Sequence, residues 1–363
     1  MINTSTSDEN LCGLKRADFQ TTVNGKQTDL FILKNENGAE IAVTNYGGAV
    51  LAIMVPDKNG KYANVIQGHD SITHVINSHE PFLSTLIGRY GNRIAGGKFI
   101  LEGKEYSLTI NNGPNSLHGG PTGFHTRIWD AEQETPQSLK LHYLSADGEE
   151  GFPGNLDIHV TYTLSNQNEF IITYHATTDK TTLVNLTHHG FFSLSGIANP
   201  TATVDNNIVT INADFYTPID NVSIPTGEIA KVEGTPMDFR TPQRVDSRIN
   251  DPFEQLKFGA GYDHCYVIAD SGLRHTAWLT GPETGIRMET LTTQPGVQLY
   301  TSNFLKSATA CKDGASYGQY SAVCLETQDF PDAPNHPDFP DTTVLPDRPY
   351  SATTLYRFDL APL

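Results

Sequence analysis

The chain has 363 residues, more than an ordinary single domain, so length alone permits one large domain or two smaller ones. Its 41 acidic residues against 24 Lys and Arg give a formal net charge of −17, a surface that repels phosphate backbones and argues against nucleic acid as a partner. Charged residues make up only 18%, with Thr, Asn, Gly and Ser filling the shortfall as they do in long all-β enzymes, and no apolar run approaches the roughly 20 residues that a bilayer span needs.

The N-terminal stretch from Met1 to Arg16 is polar and lacks a hydrophobic signal core. The four cysteines, Cys12, Cys265, Cys311 and Cys324, form neither a CxxC pair nor a regular framework. They read as reduced thiols, and a cytoplasmic location is the expectation. Hairpin signals recur from the start: Asn24-Gly25, Asn37-Gly38, Asn59-Gly60 and Asn112-Gly113 sit between runs rich in Val, Ile, Thr, Tyr or Phe. Asn-Gly tolerates positive φ at both central positions, as a tight two-residue turn demands. The pair GKFILEG and KEYSLTI predicts a further hairpin turning at Glu102-Gly103.

Helical periodicity is scarce, with short candidates over 72–78 and 79–86. Beyond them, LDIHVTYTLS and EFIITYHATT alternate apolar and polar residues, the pattern of strands with one face buried. Later strand candidates are DHCYVIA, HTAWLTG, IRMETLTT, VQLYTSN and YSAVCLETQ. From Asp329 to Pro349 six prolines exclude a central strand, and Phe330 and Phe339 are suited to anchor this stretch as an ordered surface loop. No linker or composition shift divides the chain. The reading is a single all-β domain over 1–363, a large antiparallel sandwich or barrel.

Several familiar constellations are missing. The Gly-rich stretch GRYGNRIAGG lacks the GK[ST] ending of a phosphate loop. His188 and His189 are adjacent, so on a strand they face opposite ways and do not converge on one metal. No GxSxG elbow or cysteine-nucleophile motif is present. What remains are polar residues set among apolar ones. Glu326 follows Val323, Cys324 and Leu325, and is either a glutamate on a solvated strand face or a partly desolvated carboxylate fit to act as a base. His189, in NLTHHGFFSLSG, is either a hydrogen-bonded core histidine or a proton-transfer group.

Five segments together resemble the aldose 1-epimerase (galactose mutarotase) family: GRYGNRIAGGKF, NSLHGGPTGFH, NLTHHGFFSL, TTQPGVQLYTSNFL and CLETQDFPDAPNHPDFP. They span Gly88 to Pro340. The resemblance implies a mutarotase-type β-sandwich with an open sugar cleft, and interconversion of the α and β anomers of a free hexose such as galactose or glucose. It assigns Glu326 as general base and His189 as general acid, with Asn92, Arg93, His118, Asp263 and Gln298 as substrate-binding residues. Gln298 is preferred over Gln294 as the binding glutamine, and His188 stands where many relatives carry Asn. No metal or cofactor is called for, and the expected partner is a small aldose, bound by a monomer or homodimer. Phe124, Phe191 and Tyr300 are candidates to pack on the apolar face of the sugar or, alternatively, core residues.

Overall fold

A computed structural model describes residues 9–197, 206–306 and 317–362. Cys311 lies outside the described residues, while Cys12, Cys265 and Cys324 are buried. The period-two segments form strands as their alternation predicts. In Leu156–Leu164 every second side chain, from Leu156 to Leu164, is buried, and the intervening ones face outward. Glu169–Thr178 repeats the pattern.

These two strands lie within a nine-stranded antiparallel sheet. Its order is Asp130–Thr135, Ser138–Ser145, Leu156–Leu164, Glu169–Thr178, Tyr350–Leu360, Ile286–Thr292, Arg274–Thr280, Ile208–Ile211 and Gln243–Arg244. A five-stranded sheet runs Ala230–Lys231, Phe215–Thr217, Asp263–Val267, Gly296–Tyr300, Cys324–Gln328, and a four-stranded sheet holds the chain from Leu30 to Asn64. One apolar core takes side chains from all three, including Ile41, Val160, Ile172, Tyr266, Val297 and Leu325. Burying each such side chain contributes about 1.5–3 kcal/mol. The all-β sandwich is therefore the observed architecture.

The turns follow their local chemistry. Asn24-Gly25 and Glu102-Gly103 are two-residue hairpins with positive φ at both positions. Asn37-Gly38 and Asn59-Gly60 lie in longer loops, and Asn112-Gly113 forms a tight turn closed by a bridge between Asn112 and Asn115. Ile72–Ile76 is a short α-helix, as expected. The expectation of a second helix over 79–86 is not met. That stretch is a series of turns, with Pro81 removing a donor and Ser84 at φ 53°, and it ends in the strand Leu86–Ile87. A helix unmarked by the sequence pattern forms instead at Glu254–Gly259. The proline-rich loop is ordered as predicted: Phe330 and Phe339 meet edge to face at 5.2 Å and pack on Cys265.

Three distant segments converge on Asn185. Its amide nitrogen donates to the carbonyls of Gly91 (3.2 Å) and Asp329 (3.3 Å), and its Oδ1 accepts from the Asp329 N–H at 2.8 Å. Its backbone N–H donates to Arg89 O, and Gly91 N–H donates to Asn185 O. Just beyond, Thr187–His188 pairs with Leu86–Ile87, and opposite facing separates the two histidines. His188 points into the core against Tyr162 and Phe170, ring centroids 6.0 and 5.8 Å away.

Two outcomes are expected. Asn185→Ala strands buried partners of its amide and should cost about 1–3 kcal/mol in denaturant unfolding while also lowering activity. Burial holds the His188 imidazole down at about 3. The folded state therefore binds fewer protons there than the unfolded chain between about pH 3 and the ordinary 6.5, so this residue's contribution to stability falls as pH falls through that window. His188→Asn should remove that loss, gaining on the parent by about 1.4 kcal/mol per pH unit below 6.5, read from unfolding midpoints at pH 7 and pH 5.

Candidate active site

The five-stranded sheet carries the site on one face. Register places Gln298 opposite both Cys265 and Glu326, and Tyr300 opposite Asp263 and Cys324. Because alternate residues share a face, Asp263, Gln298, Tyr300 and Glu326 stand together while Tyr266, Leu299 and Leu325 enter the core behind them. Glu326 is only 2% exposed. The solvated reading of this residue fails because the strand lies inside the molecule.

His189 reaches the same place from the neighbouring ladder. Its backbone N–H donates to Thr85 O, and its carbonyl accepts from Ser84 N–H. Its ring stacks on Phe191 at 4.8 Å, and its Nε2 lies 3.5 Å from Glu326 Oε1. A third arm comes from two turns, at Asn92 (φ 63°) and His118 (φ 52°). The N–H of Asn92 donates to His118 Nδ1 and the N–H of His118 donates back to Asn92 O, both at 3.0 Å. With Nδ1 accepting, the proton of neutral His118 sits on Nε2. The next residue, Gly119, has φ 82°, and a Cβ there would lie 1.9 Å from Gly88 O, so only glycine lets the loop pass.

These arms surround a cavity of about 500 Å³, lined by Asn92, Arg93, His118, His189, Asp263 and Glu326 among others. Arg93 donates from Nε to Asn112 Oδ1 at 2.9 Å, and its Nη1 lies 3.8 Å from Asp263 Oδ2. Gln298 stands one row deeper: it donates to Asp263 Oδ1 at 2.7 Å and is not part of the lining. Gln294 is turned away onto the Tyr350 hydroxyl. Six of the seven residues singled out in the sequence thus face one cavity, and the seventh braces one of them.

Electrostatics in the cavity favour uncharged forms. Burial holds His189 down at about 3 and His118 well below its ordinary range. Burial also pushes the Glu326 carboxyl well above its usual range, with the Asp263 charge adding to the rise and Arg93 opposing it. Both shifts favour the uncharged carboxyl of Glu326 over its carboxylate and the uncharged imidazole of His189 over its imidazolium. Among the described residues Glu326 Oε2 and His189 Nδ1 have no hydrogen-bond partner. One ligand atom each from His118, His189 and Glu326 lie within 4.8 Å of one another, close enough to share a proton network or to hold a small cation.

Sequence reasoning missed Glu80, Phe82, Phe258 and Phe304, which also line the cavity. Burial pushes the Glu80 carboxyl up to about 7. Phe82 lies edge-on to His118 at 4.7 Å and stacks toward His189 at 6.3 Å, presenting an aromatic surface beside the pair. Of the aromatic candidates, only Tyr300 reaches the cavity. Phe124 packs on Trp129 and Phe191 lies behind His189. The helical expectation over 79–86 hides the role of Glu80 and Phe82, and the Glu-Pro-Phe run against a polar background is the one usable signal. Arg89 is absent from the cavity lining and is buried elsewhere, donating to the carbonyls of Ser145, Ala146, Pro153 and Gly154.

Known proteins are similar to this chain across nearly its whole length. Galactose mutarotase of Bos taurus is 40% identical over 322 residues, covering 88% of this chain and 91% of the relative. Aldose 1-epimerase of Escherichia coli is 33% identical over 338 residues, covering 92% and 96%. The crystal structure of an aldose epimerase homologue from C. elegans superposes with a TM-score of 0.85 at 30% identity, covering 92% of this chain and all of the other. The family description aldose 1-epimerase matches residues 29–357, and the chain belongs to the aldose 1-epimerase family.

Proposed function

We propose that this aldose 1-epimerase interconverts the α and β anomers of free hexoses such as galactose and glucose through Glu326 as base and His189 as acid. The supporting observation is their 3.5 Å approach in the lining of a sugar-sized cavity, with a carboxyl oxygen and a ring nitrogen left without partners among the described residues. Anomer exchange removes the proton from O1, protonates the ring oxygen and opens the C1–O5 bond. Rotation about C1–C2 and reclosure from the other face reverse both transfers. The pair needs a single proton throughout. Opening carries it from carboxylate plus imidazolium to carboxyl plus imidazole, and closing carries it back, so the enzyme is regenerated without a net proton.

The uncharged form that burial favours, carboxyl plus imidazole, has the same proton count as the reactive one. Sugar hydroxyls donating to Glu326 and the nearby Arg93 charge draw up the ionised arrangement. Asp263 is braced by Gln298 to accept from sugar hydroxyls, and His118 donates from Nε2. A sugar lacking a matched hydroxyl leaves a buried partner unpaired, at about 1–3 kcal/mol. Phe82 and Tyr300 offer apolar surface to the ring. Among the described lining residues Arg93 is the one Lys or Arg, which favours a free sugar over a sugar phosphate.

Polarimetry of freshly dissolved α-D-galactose tests the pair. Glu326→Gln and His189→Asn should each lower kcat/KM by about 10²–10⁴-fold with circular dichroism unchanged. Near-normal relaxation in Glu326→Gln overturns the assignment of the base. Activity requires one proton on the pair, so kcat/KM should follow a bell. Its acid limb, where a second proton is gained, lies below the ordinary 6.5 because burial lowers His189. Its alkaline limb lies above the ordinary carboxylate range because burial raises Glu326. An acid limb centred at or above 6.5 contradicts the mechanism.

A further inference from the structure

The nine-stranded sheet presents a group of potential metal ligands on its outward face, far from any role in sugar chemistry. Asp130, His142 and His159 are cross-strand neighbours on three successive strands, Asp130 pairing with His142 and His142 with His159. Asp157 lies two residues before His159 and so projects from the same face. Their strand neighbours Leu141, Ile158 and Val160 enter the core, which fixes the histidines outward. None of the four lines the sugar cavity.

Asp157 approaches a ring nitrogen of both imidazoles. Its Oδ1 lies 2.6 Å from His142 Nε2, and its Oδ2 lies 3.7 Å from His159 Nε2. The two rings stack with centroids 4.5 Å apart and planes 19° from parallel. On the far edge of the first ring, His142 Nδ1 lies 3.8 Å from Asp130 Oδ2, while Lys26 holds the other Asp130 oxygen at 2.9 Å. One ligand atom each from His142, Asp157 and His159 fall within 4.8 Å of one another.

We propose that His142, Asp157 and His159 form a binding site for a divalent transition-metal ion of the zinc class, with Asp130 orienting His142 from behind. Two imidazoles and a carboxylate are the ligand types that zinc takes, with water completing the shell. Zinc–nitrogen and zinc–oxygen bonds of about 2.0–2.1 Å put tetrahedral ligand atoms about 3.4 Å apart. The present spacings bracket that value, and the side chains are 38% to 54% exposed, so rotation about their own bonds brings them to it. Binding at His142 Nε2 directs Nδ1–H toward Asp130, the carboxylate–histidine–metal arrangement that fixes a ligand's tautomer. The ion bridges two neighbouring strands close to the sheet edge formed by Asp130–Thr135.

The test is zinc binding to the tag-free full chain, measured by competition with a chromophoric chelator, alongside the shift in melting temperature on adding zinc. Wild type should bind one equivalent and melt higher with zinc present. Losing an outer-shell partner costs roughly 10–100-fold in affinity, so losing a ligand in His142→Ala or His159→Ala should weaken binding at least tenfold and abolish the melting shift. Mutarotation by both variants should match wild type, which also shows that they fold. Asp130→Asn should weaken binding while leaving the stoichiometry at one. Absence of binding by wild type overturns the proposal. So does binding that persists in the two histidine variants, and loss of that persisting ion in Glu326→Gln would place it in the sugar cavity among His118, His189 and Glu326.

Discussion

The side-chain amide of Asn185 joins three stretches of chain that are remote in sequence, and each stretch delivers part of the catalytic cavity. Gly91 lies beside Asn92 and Arg93, Asn185 itself is four residues from His189, and Asp329 is three residues beyond Glu326. The amide is fully buried, so every bond it makes is shielded from water and every bond it loses goes uncompensated. A side chain with two donors and one acceptor oxygen holds all three stretches to each other at one point. The separation of the proposed acid and base then depends on a local hydrogen-bond geometry rather than on the looser packing of whole sheets.

Around that point the molecule shelters groups that water would otherwise charge. Among the described residues Glu326 has no Lys or Arg in direct contact, and the cost of its burial is offset by the apolar residues on the other face of its strand, Leu325 foremost. The consequence is that burial favours the uncharged carboxyl and the uncharged imidazole of the pair, a form that holds one proton. Such a pair suits a reaction in which the proton leaves one oxygen and arrives at another within the same sugar. The reciprocal bonds between Asn92 and His118 serve the same end, because they commit His118 Nδ1 as an acceptor and leave Nε2 as a donor.

The two arginines of GRYGNR show how four residues' distance divides structure from site. Arg89 is buried among backbone carbonyls and closes the loops around Ser145 and Gly154, while Arg93 reaches the cavity beside Asp263. The planar five-donor fork of Arg89 satisfies carbonyls at the end of the strand Ser138–Ser145 and in the loop at Pro153 and Gly154. The same separation by face runs through the sheets: core-facing positions hold the sandwich together, cavity-facing positions carry chemistry, and outward positions of the nine-stranded sheet are free to hold other ligands.

The sequence by itself determined the β architecture and the cast of the site. Period-two alternation marks which residues of Leu156–Leu164 are buried, Asn24-Gly25 and Glu102-Gly103 mark tight turns, and proline spacing marks the ordered loop after Asp329. These features are local, since backbone dihedrals and side-chain facing depend on residues a few positions apart. The motif resemblance then named Glu326 and His189. Only the tertiary structure decided that they meet, that Gln298 braces Asp263 instead of lining the cavity, and that Arg89 is structural. It also settled Phe124 and Phe191 as core residues, brought Phe82 to the cavity, and turned a supposed helix at 79–86 into the turns that bring Glu80 there. Those outcomes rest on cross-strand register and on desolvation, which arise from residues a hundred or more positions apart and leave no period in the sequence.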